Sequence, residues 1–369
     1  MSIQITTKDT DLLSLLPSEL EDIFVQINEP IYRSKQLFLA LHKKLANIDE
    51  ITTIKQPTKE YLQSNFKISN LTIEQIKISS DGTRKYQFKT FDGHLIESVF
   101  IPHAAKEGRH SICISSQVGC AMGCKFCATA ALKLTRNLTP SEIVSQVYLV
   151  SKDVKNNAND ESLMLNPNEK PIHNIVFMGM GEPLHNFENV VKAIHILTHA
   201  EGMDFSHRRI TVSTSGLVPK IKLLGEMTGV YLAVSLNATQ NQTRSMIMPV
   251  NNKWAIEELL LACKEFPLKI RERITFEYVL LKGVNDTKED ALRLAELLKD
   301  FQCKVNLIPF NEHPLSPFKR PDNSVVLMFH KILYKSHISV FTRKTRGDDI
   351  DAACGMLGAK KLANKRLEA

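Results

Sequence analysis

From His110 onward the chain alternates short β-rich runs with amphipathic helices, and this alternation limits its fold more than any other feature of the sequence. The runs HSICISS, HNIVFMG, RRITVST, VYLAVSL, ITFEYVLL and KVNLIPF are bounded by turn residues and rich in β-branched side chains. Between or after them, SEIVSQVYLV, ENVVKAIHILTHA, AIEELLLACKEF and KEDALRLAELLKDF repeat apolar residues at helical spacing. Strand–helix–strand repetition requires parallel strands joined by right-handed crossovers. The expectation is an α/β fold whose six β/α units form a parallel sheet, curled into a partial TIM-like (β/α)6 barrel. SVVLMFHKILYKS and HISVFTRK add a further helix and strand.

Upstream the pattern is different. LPSELEDIFVQI, YRSKQLFLALHKK and PTKEYLQSNF read as helices, with Pro17 and Pro57 as helix starters. IEQIKIS, TRKYQFKTF and HLIESVFIP alternate around Asp81-Gly82 and Asp92-Gly93, the signature of a three-stranded meander. The expected domains are a helical accessory domain over 1–70 that binds RNA, a meander extension over 71–104, the barrel over 105–346 and a C-terminal segment over 347–369. The polar stretch 152–171 has no periodicity and reads as a mobile surface insertion. Without a long apolar run or a leader-like start, the chain is expected to be cytoplasmic, with no membrane partner. Lys and Arg number 47 against 40 Asp and Glu, a net charge of +7 that suits a polyanionic partner.

Seven cysteines in such a chain argue for metal or thiol chemistry rather than a disulfide framework. Cys120, Cys124 and Cys127 stand at C-x3-C-x2-C in GCAMGCKFCAT, directly after the first barrel strand. Three thiolates on one loop can converge on an inorganic centre. A zinc site completed by a distant His or Cys, and three buried structural thiols, are the competing readings. The spacing, with Phe126 before the last Cys, resembles the signature of the radical-SAM superfamily. That resemblance implies a [4Fe-4S] cluster with one open iron, which holds S-adenosylmethionine and cleaves it to a 5′-deoxyadenosyl radical.

Polar motifs gather where the other strands end, as reactive groups do in barrels. GMGEP follows strand two, STSG strand three, SLN strand four, and Asn311 strand six. In the radical-SAM reading, Gly179 and Gly181 let backbone approach the methionine amino group and Glu182 supplies a carboxylate. Ser213, Ser235, Leu236, Asn237 and Asn311 complete the expected S-adenosylmethionine contacts. Both GMGEP and STSG also read as simple tight turns.

CISSQVGCAMGCKFCATA, FMGMGEPL, RRITVSTSG, NLIPFN and RKTRGDDIDAACG resemble, in order and spacing, the dual-specificity ribosomal and transfer RNA adenine-C2 methyltransferases. The likeness extends over about residues 97–358. It implies that Cys354 is methylated by one S-adenosylmethionine. The radical from a second then takes hydrogen from that S-methyl group, and the methylene radical adds to adenine carbon 2. Cys113 matches the second cysteine that resolves the protein–RNA adduct, forming a transient disulfide with Cys354. Glu97 matches the proton acceptor, although a strand Glu is by default a solvated surface residue. Two positions depart from the family: Asn237 stands where His is usual, and Met356 where Gln is usual.

The implied substrates are an adenine in the peptidyl-transferase region of 23S rRNA and the adenine 3′ of the anticodon in tRNA, each withdrawn from its stack to be reached. The implied electron donor is a flavodoxin or ferredoxin, and the expected state is a monomer. Lys43, Lys44, Arg208, Arg209, Arg343, Lys344 and Arg346 are candidate phosphate contacts. The sister carbon-8 methyltransferase activity and a non-catalytic zinc-stabilised RNA-binding protein are the alternatives.

Overall fold

The computed structural model describes residues 10–68, 71–103, 109–157, 163 and 170–358. Helices α1 (Pro17–Gln26), α2 (Tyr32–His42) and α3 (Gln56–Asn65) form the N-terminal region. Pro17 occupies the first turn of α1 and Pro57 that of α3, where a missing N–H leaves no bond unmade. The meander follows as β1 (Thr72–Ile78), β2 (Arg84–Lys89) and β3 (Leu95–Ile101), each antiparallel to the next.

Strand β4 (Ser111–Cys113) opens the α/β region. A short hairpin of β5 (Gln117–Val118) and β6 (Arg136–Asn137) flanks the cysteine loop and the one-turn helix α4 (Ala128–Ala131). Helix α5 (Pro140–Asn156) is started by Thr139, whose hydroxyl accepts the Glu142 N–H while Glu142 accepts the Thr139 N–H. The expected insertion over 152–171 begins inside α5, and most of it lies outside the described residues.

The chain then runs through β7 (Asn174–Phe177), α6 (Phe187–Thr198), β8 (Ile210–Thr214), α7 (Val218–Thr228), β9 (Tyr231–Ser235), α8 (Asn241–Ile247) and α9 (Ile256–Lys264). It finishes with β10 (Ile274–Leu280), α10 (Lys288–Leu298), β11 (Cys303–Pro309), α11 (Asn323–Lys335) and β12 (Ser339–Thr342). Strands β7 to β12 follow one another in space as in sequence, all parallel, and β3 pairs antiparallel with β4. The meander is therefore continuous with the barrel sheet.

The α/β expectation holds, and the fold adds α7 and the short α8, which the apolar spacing of the sequence does not mark. Pro219 sits in the first turn of α7, and a side chain at Gly225 would come within 2.6 Å of Pro267, so close packing requires the glycine.

In a flat sheet β4 and β12 would stand six strand spacings apart, roughly 29 Å. Yet Cys113 at the end of β4 and Arg343 just after β12 line one cavity, so the sheet curls. The β1–β2 turn meets the segment after β12 across the remaining gap. Asp349 accepts the Ser79 hydroxyl at 2.5 Å and the Ser80 N–H at 3.1 Å, and Asp81 accepts the Gly347 N–H at 3.2 Å. The N-terminal helices dock on the outer face: Tyr148 of α5 donates to the Leu45 carbonyl, and Lys192 of α6 pairs with Glu19. Among the described residues no helix is long and apolar enough to cross a membrane.

Gln146 of α5 shows how the helix layer is keyed to the sheet. Fully buried, it accepts from Ser98 Oγ and Ser115 N and donates to the Ser115 and Glu142 carbonyls. Replacing it by Leu strands several buried groups at about 1–3 kcal/mol each. Gln146→Leu is expected to lower the urea midpoint by the equivalent of about 3 kcal/mol or more, whereas Gln63→Leu on the exposed face of α3 leaves it within error. Circular dichroism during urea titration checks both.

Candidate active site

The carboxyl ends of the parallel strands surround a single cavity, and the cysteine loop forms one wall. The β5–β6 pairing closes the base of that loop. Lys125 N donates to the Ile247 carbonyl at 3.0 Å, Nε2 of His313 lies 3.1 Å from the Phe126 carbonyl oxygen, and Ser316 donates to the Lys125 carbonyl. Cys120, Cys124 and Cys127 all line the cavity. Burial pushes the Cys120 thiol up to about 12 and the Cys124 thiol well above its ordinary value, and neighbouring Cys127 adds to both.

Thiols so placed are protonated at neutral pH unless a cationic centre draws the protons off. A single zinc ion needs all its donors within about 2.3 Å. Among the described residues no three His, Cys, Asp or Glu side chains close on one such point. A cube presents a separate iron to each thiolate, and three thiols on one wall of the cavity are the donor set that a [4Fe-4S] cluster with an open iron requires.

Gly179 and Gly181 in the turn after β7 line the cavity with their backbone. A side chain at Gly179 would lie 2.7 Å from the Ile114 carbonyl group, and one at Gly181 would lie 2.5 Å from Gln117. The missing side chains let this turn pack closely on the chain leaving β4. Glu182 is buried, and burial raises its carboxyl. One oxygen accepts the Leu184 N–H at 3.1 Å and the other the Ser215 N–H at 2.7 Å, which ties the turn after β7 to the turn after β8.

The remaining expected contacts line or border the same cavity. Ser213 donates to Glu277 at 3.3 Å. The Ser235 and Leu236 carbonyls accept from the buried Arg244, and the Leu236 side chain is fully buried. Asn237 bridges strands, with Oδ1 accepting the Val279 N–H at 2.7 Å and Nδ2 3.2 Å from the Met248 sulfur. Asn311 donates to the Cys354 carbonyl at 3.1 Å and accepts from Thr345.

Two charged residues escaped the sequence reading or were assigned elsewhere. Glu277 lies buried on β10, facing the cavity, with one oxygen bonded to Ser213 and the other without a hydrogen-bond partner. A lone carboxylate inside the apolar run ITFEYVLL was the available signal. Arg343, expected to meet RNA phosphate, lines the cavity and lies 3.8 Å from Glu277. Arg346 likewise turns to Asp81, and Arg208 to Glu272.

Cys113 and Cys354 open onto the cavity from opposite ends of the fold. Both are free thiols, so the expected pairing is not a bond of this structure. Burial pushes Cys113 up to about 12, with Cys354 adding to the shift, and pushes Cys354 up to about 11, with Glu277 adding; Arg343 opposes both. The Cys354 segment rests on the cysteine loop: Ala128 N donates to the Gly355 carbonyl at 2.8 Å, and Thr129 Oγ1 to the Leu357 carbonyl at 2.9 Å. Glu97 is buried rather than solvated, accepting the Gly358 N–H at 2.9 Å. Met356 packs in the interior where the family has a polar side chain.

Cys354 is exposed as a residue although protein crowds its thiol in the cavity wall, whereas Cys263 and Cys303 are buried throughout. Brief iodoacetamide treatment is therefore expected to label the peptide 347–360 before those holding Cys263 or Cys303, by peptide mass spectrometry. Because the Cys354 thiol is held above its ordinary value, its labelling should speed up as pH rises, by about tenfold per unit while the thiolate remains the minor form.

Residues 114–295 match the model of the radical SAM superfamily. The chain is 48% identical over 356 residues to the dual-specificity RNA methyltransferase RlmN of Geobacter sulfurreducens, covering 96% of this chain and 94% of that one. It is 42% identical over 368 residues to the protein of the same name from Desulfotalea psychrophila, covering 99% and 100%. A radical SAM methyltransferase from Sphaerobacter thermophilus superposes with a TM-score of 0.87 at 40% identity, over 95% of this chain and 99% of that one. With the three-thiol loop, the curled parallel sheet and likeness over nearly the whole length, this chain belongs to the radical SAM superfamily and, within it, to the dual-specificity RNA methyltransferases.

Proposed function

We propose that this enzyme methylates carbon 2 of adenine, in 23S rRNA and in the tRNA position 3′ of the anticodon, through an S-methylated Cys354. The observation that carries the reading is that Cys113 and Cys354, both free, line the same cavity as the three-cysteine loop. Cys120, Cys124 and Cys127 would hold the [4Fe-4S] cluster. Gly181, Glu182, Ser213, Ser235, Leu236, Asn237 and Asn311 would position S-adenosylmethionine, of which each turnover uses two. When bound, these groups supply a methyl cation equivalent and a 5′-deoxyadenosyl radical.

Carbon 2 of adenine lies between two ring nitrogens and is too electron-poor to attack a sulfonium. A sulfur carrier on the protein overcomes this, because a thiol accepts the methyl group readily. Asn311 holds the Cys354 carbonyl and α4 holds Gly355, so the carrier sulfur keeps a fixed place in the cavity. Cys113, on the rigid end of β4, would resolve the adduct through a transient disulfide, and Glu97 would accept the proton lost from carbon 2. Either Asn237 oxygen or nitrogen already bonds within the protein, which supports a role for its backbone rather than an imidazole-like one.

Exposed Lys43, Lys44 and Lys344 would meet phosphates, with the helical region up to residue 70 as an RNA-binding accessory. A flavodoxin or ferredoxin would deliver the electron, in the cytoplasm, to a monomer.

Cys120→Ala, Cys124→Ala and Cys127→Ala are each expected to lose cluster iron and 5′-deoxyadenosine formation, read by iron analysis and chromatography. In the wild type, digests of treated RNA should contain 2-methyladenosine; 8-methyladenosine would assign the sister activity. Cys113→Ala should still take up methyl on Cys354 but trap RNA on the protein, visible on denaturing gels and removed by nuclease. Normal methylation by Cys113→Ala would defeat the two-cysteine reading.

A further inference from the structure

Lys85 is a buried lysine that no step above uses. On β2 it is 5% exposed, and its Nζ donates to the Asp351 carbonyl at 3.0 Å while lying 3.8 Å from Glu97 Oε1. Glu97, 8% exposed on β3, uses its other oxygen to accept the Gly358 N–H at 2.9 Å. The β2–β3 register sets Lys85 opposite Val99, two residues along from Glu97, so the two side chains share a sheet face. One ion pair on that face thus holds both ends of the segment 351–358, with Cys354 between them.

We propose that Lys85 is a positioning residue: its ammonium bridges Glu97 to the Cys354 segment, holds that segment closed, and couples its release to the freeing of Glu97. The proposal rests on the functional reading above. Neither Lys85 nor Glu97 lines the cavity, whereas Val99 and Ile101 farther along β3 do, so Lys85 acts through the segment and touches no substrate. A buried ammonium without solvent needs partners of this kind, and removing it leaves the Glu97 carboxylate unpaired. In the closed arrangement Glu97 has one oxygen on Gly358 N–H and the other facing Lys85. Glu97 lies off the cavity while the segment is bonded to it, so reaching a proton of the adduct requires the segment to lift. A clamp that positions the methyl carrier when closed would then expose the base when open, with Asn311 and Ala128 holding the segment from the other sides.

The test compares Lys85→Met, Lys85→Arg and Glu97→Gln in the full chain with its cluster reconstituted. Hydrogen exchange read by mass spectrometry on peptides covering 351–358 is independent of turnover. Lys85→Met is expected to speed exchange there at least tenfold while the β2–β3 hydrogen bonds stay protected, and Lys85→Arg to restore near wild-type exchange. In turnover with RNA, Lys85→Met should yield at least tenfold less methylated RNA per 5′-deoxyadenosine formed, as the carrier sulfur loses its place. Glu97→Gln keeps an acceptor for Gly358 but loses the charge facing Lys85, so exchange over 351–358 should rise less than in Lys85→Met while RNA remains attached to Cys354. Should Lys85→Met fail to fold, Lys85→Gln, which keeps a donor but loses the charge, takes its place. Unchanged exchange over 351–358, or loss of protection throughout β2 and β3, would overturn the clamp. A wild-type enzyme with no methyl on Cys354 would sink the functional reading instead, and the exchange result would still judge the clamp.

Discussion

Across the gap that the curled sheet leaves between its first and last strands, Asp349 takes the hydroxyl of Ser79 and the N–H of Ser80. Much of the site depends on this junction. Seven consecutive parallel-run strands, β4 and β7 to β12, bring their carboxyl ends around one cavity only if the sheet bends, and a bent open sheet leaves an edge to be covered. The segment after β12 covers it. Asp81 adds the Gly347 N–H and lies 3.8 Å from Arg346, so the RGDD run is held to the β1–β2 turn by several polar contacts. That run delivers Cys354 to the cavity from the opposite direction to Cys113. The closing of the fold and the meeting of its two distant thiols are one structural event.

The cavity floor is stiffened by buried charge. Arg244 is fully buried and makes its bonds to the Leu236, Ser215 and Ser235 carbonyls and to Asn251, joining the ends of β8 and β9. Burial lowers it only to about 10, so it stays cationic at neutral pH. Glu182 performs the matching task between β7 and β8 with a carboxylate. Charged groups fully engaged by backbone fix their neighbours because any displacement leaves a buried charge unsatisfied. The turns that carry the site are consequently held by side chains rather than by turn geometry alone.

Local patterns in the chain were enough to determine the β/α alternation, the meander turns at Asp-Gly, the helix starts at Pro17 and Pro57, and the three-cysteine loop. Those features follow from neighbours within a few residues, which is the range over which periodicity, capping and ligand spacing act. Helix α7 was obscured because its Gly225 is required by Pro267 and Phe266, a contact absent from any local window.

Only the tertiary structure decided what faces what. The sequence offers Glu97 as a proton acceptor only through family resemblance, Arg343 as a phosphate contact and Lys85 as nothing special; folding buries Glu97 beside Lys85 and turns Arg343 toward Glu277. Likewise only the fold shows that the glycines of the turn after β7 pack against Ile114, Ser115 and Gln117 of the chain leaving β4. These outcomes depend on pairs of residues far apart in the chain, such as Glu97 with Gly358 and Asn311 with Cys354. Such pairs meet only after the sheet has curled, and no local propensity encodes which side chain will lie across the closed gap.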